Sequence, residues 1–575
     1  MVGDLERPHN SLVLVRLGLL WSFYLPIRVL NLEDNQMGEK IETSIIVIGG
    51  GATGAGVLRD LALRGIQAIL IEQRDLSHGT SSRYHGLLHS GARYAVLDEE
   101  TAKESYEENI ILKRTIPGSI EDTGGFFVKL PEDDNEYVQQ WIEGCRRTGI
   151  PVEEISVAEA LREEPFISKK AQAVYRVPDG AVDGFTMIID LVADAVLRGS
   201  KVLIYHQVIK MIMSQNRVIG VLVQNVNTGK QIEIYADIII NASGPWTAKV
   251  AGLAGIQIDI MNNRGMLAVF NHRFNRHVIN RLRKPDDADI FVPAHNVTIF
   301  GTTGINIEEP DDLSLERKEL MEMLDSGKSL VPDIDKVRLI RAFVGVRPLY
   351  QEKRDGGNSE RNISRRMALI DHQQRDGIEG LITITGGKLT TLRLMAEKTV
   401  DLVSEKFGIN QTCTTDQEIV PHRETKEFFQ KVNLAPAAKN KLIHWAGKRA
   451  KIIEKRLQEE DLLNTLVCEC EQVTLGEIES VIDEGKFNLG DIRRRTRLGM
   501  GPCQGTFCHH RAVGLVVERG LTTVDEAEQA LFQAIKERQK GMNVVSIGET
   551  AKQLELMKVI YHVSLGMKKE DETDV

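Results

Sequence analysis

The stretch IIVIGGGATGAG, residues 45–56, decides the fold. Ile45, Ile46, Val47 and Ile48 are all β-branched and run directly into glycines, the pattern of a buried strand ending in a tight turn. Gly49, Gly51 and Gly54 then fall in the spacing G-x-G-x-x-G. The first glycine permits the turn, the second lets backbone approach a pyrophosphate, and the third lets helix and strand pack closely. Working outward, Ala55 to Arg64 reads as a helix closed by Gly65, and QAILIE (67–72) as a second strand ending at Glu72. A carboxylate there can accept hydrogen bonds from a ribose diol, and a helix N-terminus at Gly50, Ala52 and Thr53 turns unpaired N–H groups toward phosphates.

A nicotinamide enzyme ordinarily completes its nucleotide-binding domain before changing subject. This chain goes straight to DLSHGTSSRYHGLLHSGARYA (75–95) and later returns to a strand ending in NASGPW (241–246). Such interleaving suits a long cofactor held extended across one lobe, which favours FAD.

At 575 residues the chain predicts two or more domains. It is 42% hydrophobic and 27% charged, with a net charge of −10 and no block of like charges, which excludes general nucleic-acid affinity. Four of its six cysteines cluster late, at Cys468, Cys470, Cys503 and Cys508, an arrangement of an intracellular metal or redox site rather than a secreted disulfide framework. Residues 11–30 have the length of a membrane span but carry Arg16, Pro26 and Arg28, and no small-residue cleavage site follows. Residues 1–39 therefore read as a leader, disordered or an over-extended start upstream of Met37, with a span as the alternative.

Helical periodicity covers 101–116 and 393–408, while 201–213, 217–226 and 231–243 read as strands of a mixed sheet. Residues 264–385 alternate strands (GMLAVFN, NVTIFGTT, GLITITGG) with one helix near 314–329, predicting a substrate lobe inserted in an oxidoreductase domain of 40–410. A helical linker (411–462), a cysteine domain (463–520), and a helical segment ending in the disordered tail KKEDETDV (521–575) complete the expected order.

The motifs IGGGATGAG, GTSSR, LLHSGARYA, GVRPL and TGGKLTTLR together resemble FAD-dependent glycerol-3-phosphate dehydrogenases over residues 40–560. The late cysteines, LPEDD and HVINRLRKPDDADI resemble specifically the large subunit of the anaerobic enzymes. The fold this implies is α/β: an FAD-binding Rossmann-like lobe of the D-amino-acid-oxidase type, a mixed-sheet substrate lobe, and a small helical cysteine domain. The implied reaction is oxidation of glycerol 3-phosphate at C2, with hydride passing to flavin N5 while a base removes the hydroxyl proton.

A dianionic phosphate needs cations, and Arg93, Arg347 and Lys388 all sit in glycine-containing turns beside apolar strands, where an unpaired charge is costly. By resemblance these residues and Tyr94 fall on phosphate-binding positions. His89 is the candidate base, with a structural histidine beneath the flavin as the alternative. Aerobic relatives carry a histidine shortly after the glycine matching Gly265, where this chain reads RGMLAV. Ser81, Ser82, Val208, Ala242, Gly244 and the loop Gly386, Gly387, Lys388, Leu389 and Thr390 complete the expected flavin contacts.

C-x-C followed by C-x4-C, with Gly499, Gly501 and Gly505 around the second pair, offers four thiolates on loops that tolerate close backbone approach. Structural zinc and a disulfide are the alternatives. Arg493, Arg494, Arg495 and Arg497 stand nearby, and cations there would raise the potential of an anionic cluster. The segment resembles the small [2Fe–2S] domain named after bacterioferritin-associated ferredoxin. A cluster accepting single electrons beside a two-electron flavin implies a path outward. The resemblance implies two partners, a small flavoprotein-like B-subunit and an iron–sulfur C-subunit, with quinone as final acceptor. It places the complex peripherally at the cytoplasmic face of the inner membrane or otherwise in the cytoplasm, and leaves open an FMN at an interface between partners. Rival readings are an FAD/[2Fe–2S] dehydrogenase of an amino acid or 2-hydroxy acid, and a redox sensor or carrier without turnover.

Overall fold

The computed structural model describes residues 40–350, 366–420, 428–482 and 487–564; the expected leader, the alternative span and the tail lie outside the described residues. Ile41–Ile48 runs at the centre of an eight-stranded sheet, parallel to Ala68–Ile71 on one side and Gln231–Asn241 on the other. The intervening helix spans Ala52–Leu63, and Gly65, at φ +74°, makes the reversal into the second strand. It is buried on most of its surface, between the helices Gly184–Leu197 and Leu392–Phe407. A Cβ at Gly56 would lie 3.1 Å from Leu392, so glycine there lets the helix pair approach closely. Burial also encloses charges, which are paired: Arg59 with Asp194 at 2.9 Å and Arg64 with Asp60 at 2.9 Å.

The run 201–213 breaks at Tyr205, whose φ is +57°. Lys201–Leu203 joins the parallel edge beside Ala68–Ile71, and His206–Ser214 forms an antiparallel pair with Arg217–Asn225. Leu381–Gly386 lies parallel to Gln231–Asn241, and Met367–Asp371 pairs with it. GLITITGG therefore belongs to the cofactor sheet rather than to an inserted lobe ending at 385, because Ile382 and Ile384 bury in the same core as Ile45, Val47 and Ile240.

A second, nine-stranded sheet is built on Ile260–Phe270, paired antiparallel along its length with Leu339–Tyr350. It also recruits Gly125–Lys129, Glu153–Ile155 and Ala173–Val177 from well before residue 264. Val278–Arg281 pairs parallel with Gly125–Lys129, which brings Phe126 and Val128 into a core with Phe270, Phe291 and Phe300. The boundary expected at 264 thus misses strands with one apolar face covered by the later ones, while Phe127 and Tyr175 on the other face pack on Trp141.

The C-terminal region is one helical unit. Leu442 and Ile453 of the expected linker, Val467, Ile478 and Ile492 of the cysteine segment, and Leu531 and Leu554 beyond it share one core. Neither flanking segment could bury its apolar stripe alone. The unit docks on the flavin lobe through the buried Asp75, which accepts from Arg494 Nε at 2.7 Å and Arg495 Nη1 at 2.7 Å. Tyr205 Oη donates to Asp491 at 2.6 Å across the same junction.

Candidate functional site

A cavity of about 390 Å³ opens where the central strands end. Gly49, Gly51, Ala52 and Thr53 form one wall with Glu72, and Ser81, Val208, Ala242 and Gly244 line it further along. Gly386, Gly387, Lys388, Leu389 and Thr390 form the opposite wall, with His89, Tyr94 and Arg347 between.

The glycine turn fits a pyrophosphate cradle. Gly49 has φ +115°, and a Cβ there would sit 2.6 Å from Ala242 O. A Cβ at Gly54 would lie 1.9 Å from Gly49 O, so Gly54 acts behind the cleft by letting the helix press on the turn. No side chain caps the helix N-terminus at Gly51; only Ala52 N is taken, donating to Ser81 Oγ at 2.9 Å. That end of the helix keeps its positive dipole for a ligand. Glu72 accepts from Gly50 N at 2.7 Å and Arg74 N at 2.8 Å. Burial raises its pKa, and these two N–H donors oppose the rise. Gly50 therefore serves the turn through Glu72, and Ser82 closes its own turn by donating to Gly79 O at 3.3 Å.

At the other end, Arg347 projects from Leu339–Tyr350. Its Nη1 donates to Asn263 Oδ1 at 2.6 Å and Thr303 O at 3.2 Å, and its Nη2 to Thr302 Oγ1 and Thr303 O. Those acceptors are neutral and fix the orientation of the fork. A Cβ at Gly265 would strike Arg347 Nη2 at 2.5 Å, so this glycine makes room for the guanidinium. Lys388 Nζ lies 4.8 Å from the centre of the Tyr94 ring. The His89 ring is buried, 5.5 Å from Tyr94 and 5.9 Å from His85.

Arg93 does not join this group, a correction to the expected set. It lies in the short 3₁₀ turn Ala92–Tyr94, where successive side chains point in different directions, and Tyr94 takes the inward one. Arg93 Nη2 instead donates to Asp286 O at 2.9 Å and to the buried Asp289 at 3.1 Å.

The four late cysteines gather at one end of the helical unit. Cys468 ends a short strand, Cys508 begins the helix Cys508–Glu518, and Cys470 Sγ lies 3.4 Å from Cys503 Sγ. All four are free thiols here. Among the described residues no set of three or more such side chains is already arranged about a metal. The donor set is still that of a thiolate-bound centre: Cys470 beside it, then burial, pushes the Cys503 thiol up, and a cation would offset that repulsion. A Cβ at Gly501 would lie 2.7 Å from Cys470 Cβ, so glycine is needed for the two loops to meet.

Two family models match. One, described as FAD dependent oxidoreductase, covers residues 44–402, and the other, a BFD-like [2Fe-2S] binding domain, covers 466–518. The anaerobic glycerol-3-phosphate dehydrogenase A-subunit of Escherichia coli K12 is 41% identical over 534 residues, covering 92% of this chain and 98% of that protein. The chain belongs to the A-subunit family of anaerobic glycerol-3-phosphate dehydrogenases. The A1-subunit of Haloferax volcanii is 38% identical over 92% of this chain and 91% of its own. The crystal structure of the Bacillus halodurans glycerol-3-phosphate dehydrogenase complexed with FAD superposes with a TM-score of 0.65 at 22% identity, covering 88% of this chain and 96% of that one, a likeness of fold.

As a member of this family the chain is an oxidoreductase whose cofactors are FAD, for the first domain, and a [2Fe–2S] cluster, for the second. Sequence reasoning missed His85, Asn263, Thr302 and Thr303. His85 was within reach of it, in the same YHGLLHSG run as His89. The other three are ordinary polar residues whose role appears only when Ile260–Phe270 pairs with Leu339–Tyr350 on one side, bringing in Asn263, and with Val297–Gly301 on the other, bringing in Thr302 and Thr303.

Proposed function

We propose that this chain oxidises sn-glycerol 3-phosphate to dihydroxyacetone phosphate. One observation carries the reading: His89, Tyr94, Arg347 and Lys388 line a single cleft together with the phosphate-cradling turn, in a chain of this family. Arg347 and Lys388 hold the substrate phosphate, the first as a fixed planar fork and the second as a point charge. Tyr94 adds a hydroxyl and keeps Lys388 over its ring. His89, buried among rings, takes the C2 hydroxyl proton as the alcohol becomes a ketone. The turn 49–54, Glu72, Ser81, Val208, Ala242, Gly244 and the 386–390 loop hold FAD, which when bound supplies the acceptor for the electron pair. Cys468, Cys470, Cys503 and Cys508 would hold the [2Fe–2S] cluster, which when bound would supply a one-electron acceptor.

The relatives are named as one subunit of an enzyme, which supports assembly with further chains. We take these to be a small flavoprotein-like B-subunit and an iron–sulfur C-subunit that deliver electrons to quinone at the cytoplasmic face of the membrane. Among the described residues no helix is long and apolar enough to cross a membrane, in keeping with attachment through partners.

Anaerobic addition of glycerol 3-phosphate to the purified holoprotein bleaches the flavin band, whereas proline, sarcosine and 2-hydroxyglutarate leave it unchanged. No bleaching with the first, or bleaching by any of the others alone, overturns the proposal.

A further inference from the structure

A second cavity, of about 1130 Å³, lies between the flavin lobe and the C-terminal helices; Gly79, Thr80 and Tyr84 line it as well as the cleft. Arg83, Arg341, Arg493 and Arg538 all border it. They arrive on separate elements: a loop, the strand Leu339–Tyr350, and the helices Leu489–Thr496 and Val524–Val544. The approach is tight, since a Cβ at Gly541 would lie 2.3 Å from Ala342 O. Arg341 Nε, Arg493 Nε and all three nitrogens of Arg538 are buried without a hydrogen-bond partner, and Arg538 as a whole is 2% exposed.

The acids around this cavity are committed elsewhere. Asp75 pairs with Arg494 and Arg495, and Asp183 with His295 and Arg497. Glu121 pairs with Arg273 and Asp311 with Lys249, while Glu537, paired at the exposed rim with Lys540, is the one carboxylate that also acts on both Arg83 and Arg341, too few negative charges for four guanidinium groups. Burial, together with the mutual repulsion of Arg341, Arg538 and Arg83, pulls the Arg341 guanidinium down to about 10. A buried cation without a partner is costly, and several facing one space call for an anion.

We propose that this cavity binds a phosphate-type dianion, free or as a phosphate monoester, with Arg83, Arg341, Arg493 and Arg538 as its ligands. Guanidinium forks arriving from different directions match a tetrahedral group with several acceptor oxygens better than they match one carboxylate. The site is separate from Arg347 and Lys388 and does not depend on which alcohol the chain oxidises. Arg538 also feels Tyr561 and the charge of Cys508 and Cys503, so the competing account is that these arginines serve the cysteine centre alone.

The test uses the full-length holoprotein carrying R347A, which weakens phosphate binding in the substrate cleft. Equilibrium dialysis with labelled inorganic phosphate reads an exchangeable ion, and mass spectrometry of the supernatant after denaturation reads a retained phosphate monoester, distinguished by mass from FAD and its hydrolysis products. The expectation is that one of the two is found, and that adding R341M or R83M weakens it by about tenfold or more, the loss of one charge-assisted contact. If R341M does not fold, R83M carries the same expectation. Neither species bound, or binding unchanged in R341M and R83M, overturns the proposal and leaves the arginines to the cysteine centre.

Discussion

Replacing Arg347 tests the substrate cleft where its geometry is most specific. The guanidinium is held by Asn263, Thr302 and Thr303, so its orientation is set before substrate arrives. A hydrogen bond to a charged group contributes about 1.5–3 kcal/mol, and loss of two such contacts to a phosphate costs about 3–6 kcal/mol. At tenfold per 1.4 kcal/mol, kcat/KM for glycerol 3-phosphate falls by roughly 100- to 20,000-fold in R347A and in R347Q. Arg347→Gln keeps a donor for the neutral acceptors, so its thermal midpoint stays near wild type while its activity does not. The assay is dye-linked dehydrogenation under nitrogen, run beside glycerol, which lacks the phosphate and whose slow turnover is unaffected. A kcat/KM for glycerol 3-phosphate within about threefold of wild type in both variants refutes the reasoning, because binding energy of that size cannot be absent from the rate.

Further outcomes follow from other contacts. Gly54→Ala places a methyl 1.9 Å from Gly49 O, and the protein should purify without flavin absorbance; a yellow G54A protein with normal flavin content contradicts the cradle. Cys503→Ser should lose cluster iron and its visible absorbance while FAD and dye-linked activity persist; full iron retention removes Cys503 from the ligand set. Asp75 holds Arg494 and Arg495 at the junction of the flavin lobe and the helical unit, and D75N removes the buried carboxylate that both share, at a cost of about 3–5 kcal/mol, read as a lowered thermal midpoint. Burial alone would raise the Asp75 pKa, but these two arginines outweigh it and hold the carboxyl below its ordinary value. The stability it contributes is therefore complete above the unfolded value near 4 and is lost as the pH falls further, so the D75N deficit should shrink in acid. A deficit independent of pH between about 7 and 3 contradicts the pairing.

The cofactor lobe was legible because its signals are local. Ile45–Ile48, the glycines 49–54 and Glu72 lie in one short run, and each imposes a backbone requirement that no distant contact changes. The cysteine pairs were legible for the same reason. Arg93 is misplaced because direction around a 3₁₀ turn is not visible in residue type: Tyr94, in the cleft, directly follows Arg93, paired with Asp289. The second sheet was bounded wrongly because Gly125–Lys129 finds its partner, Val278–Arg281, some 150 residues later. The arginine-lined cavity was hidden for the same cause, since residues 83, 341, 493 and 538 share no segment.

The most direct test is an anaerobic optical and electron-paramagnetic-resonance titration of the purified holoprotein with glycerol 3-phosphate. The flavin band is expected to bleach and a reduced [2Fe–2S] signal to grow with it, both lost in R347A and the second alone lost in C503S. A protein that holds both cofactors and shows neither change with this substrate contradicts the assigned chemistry.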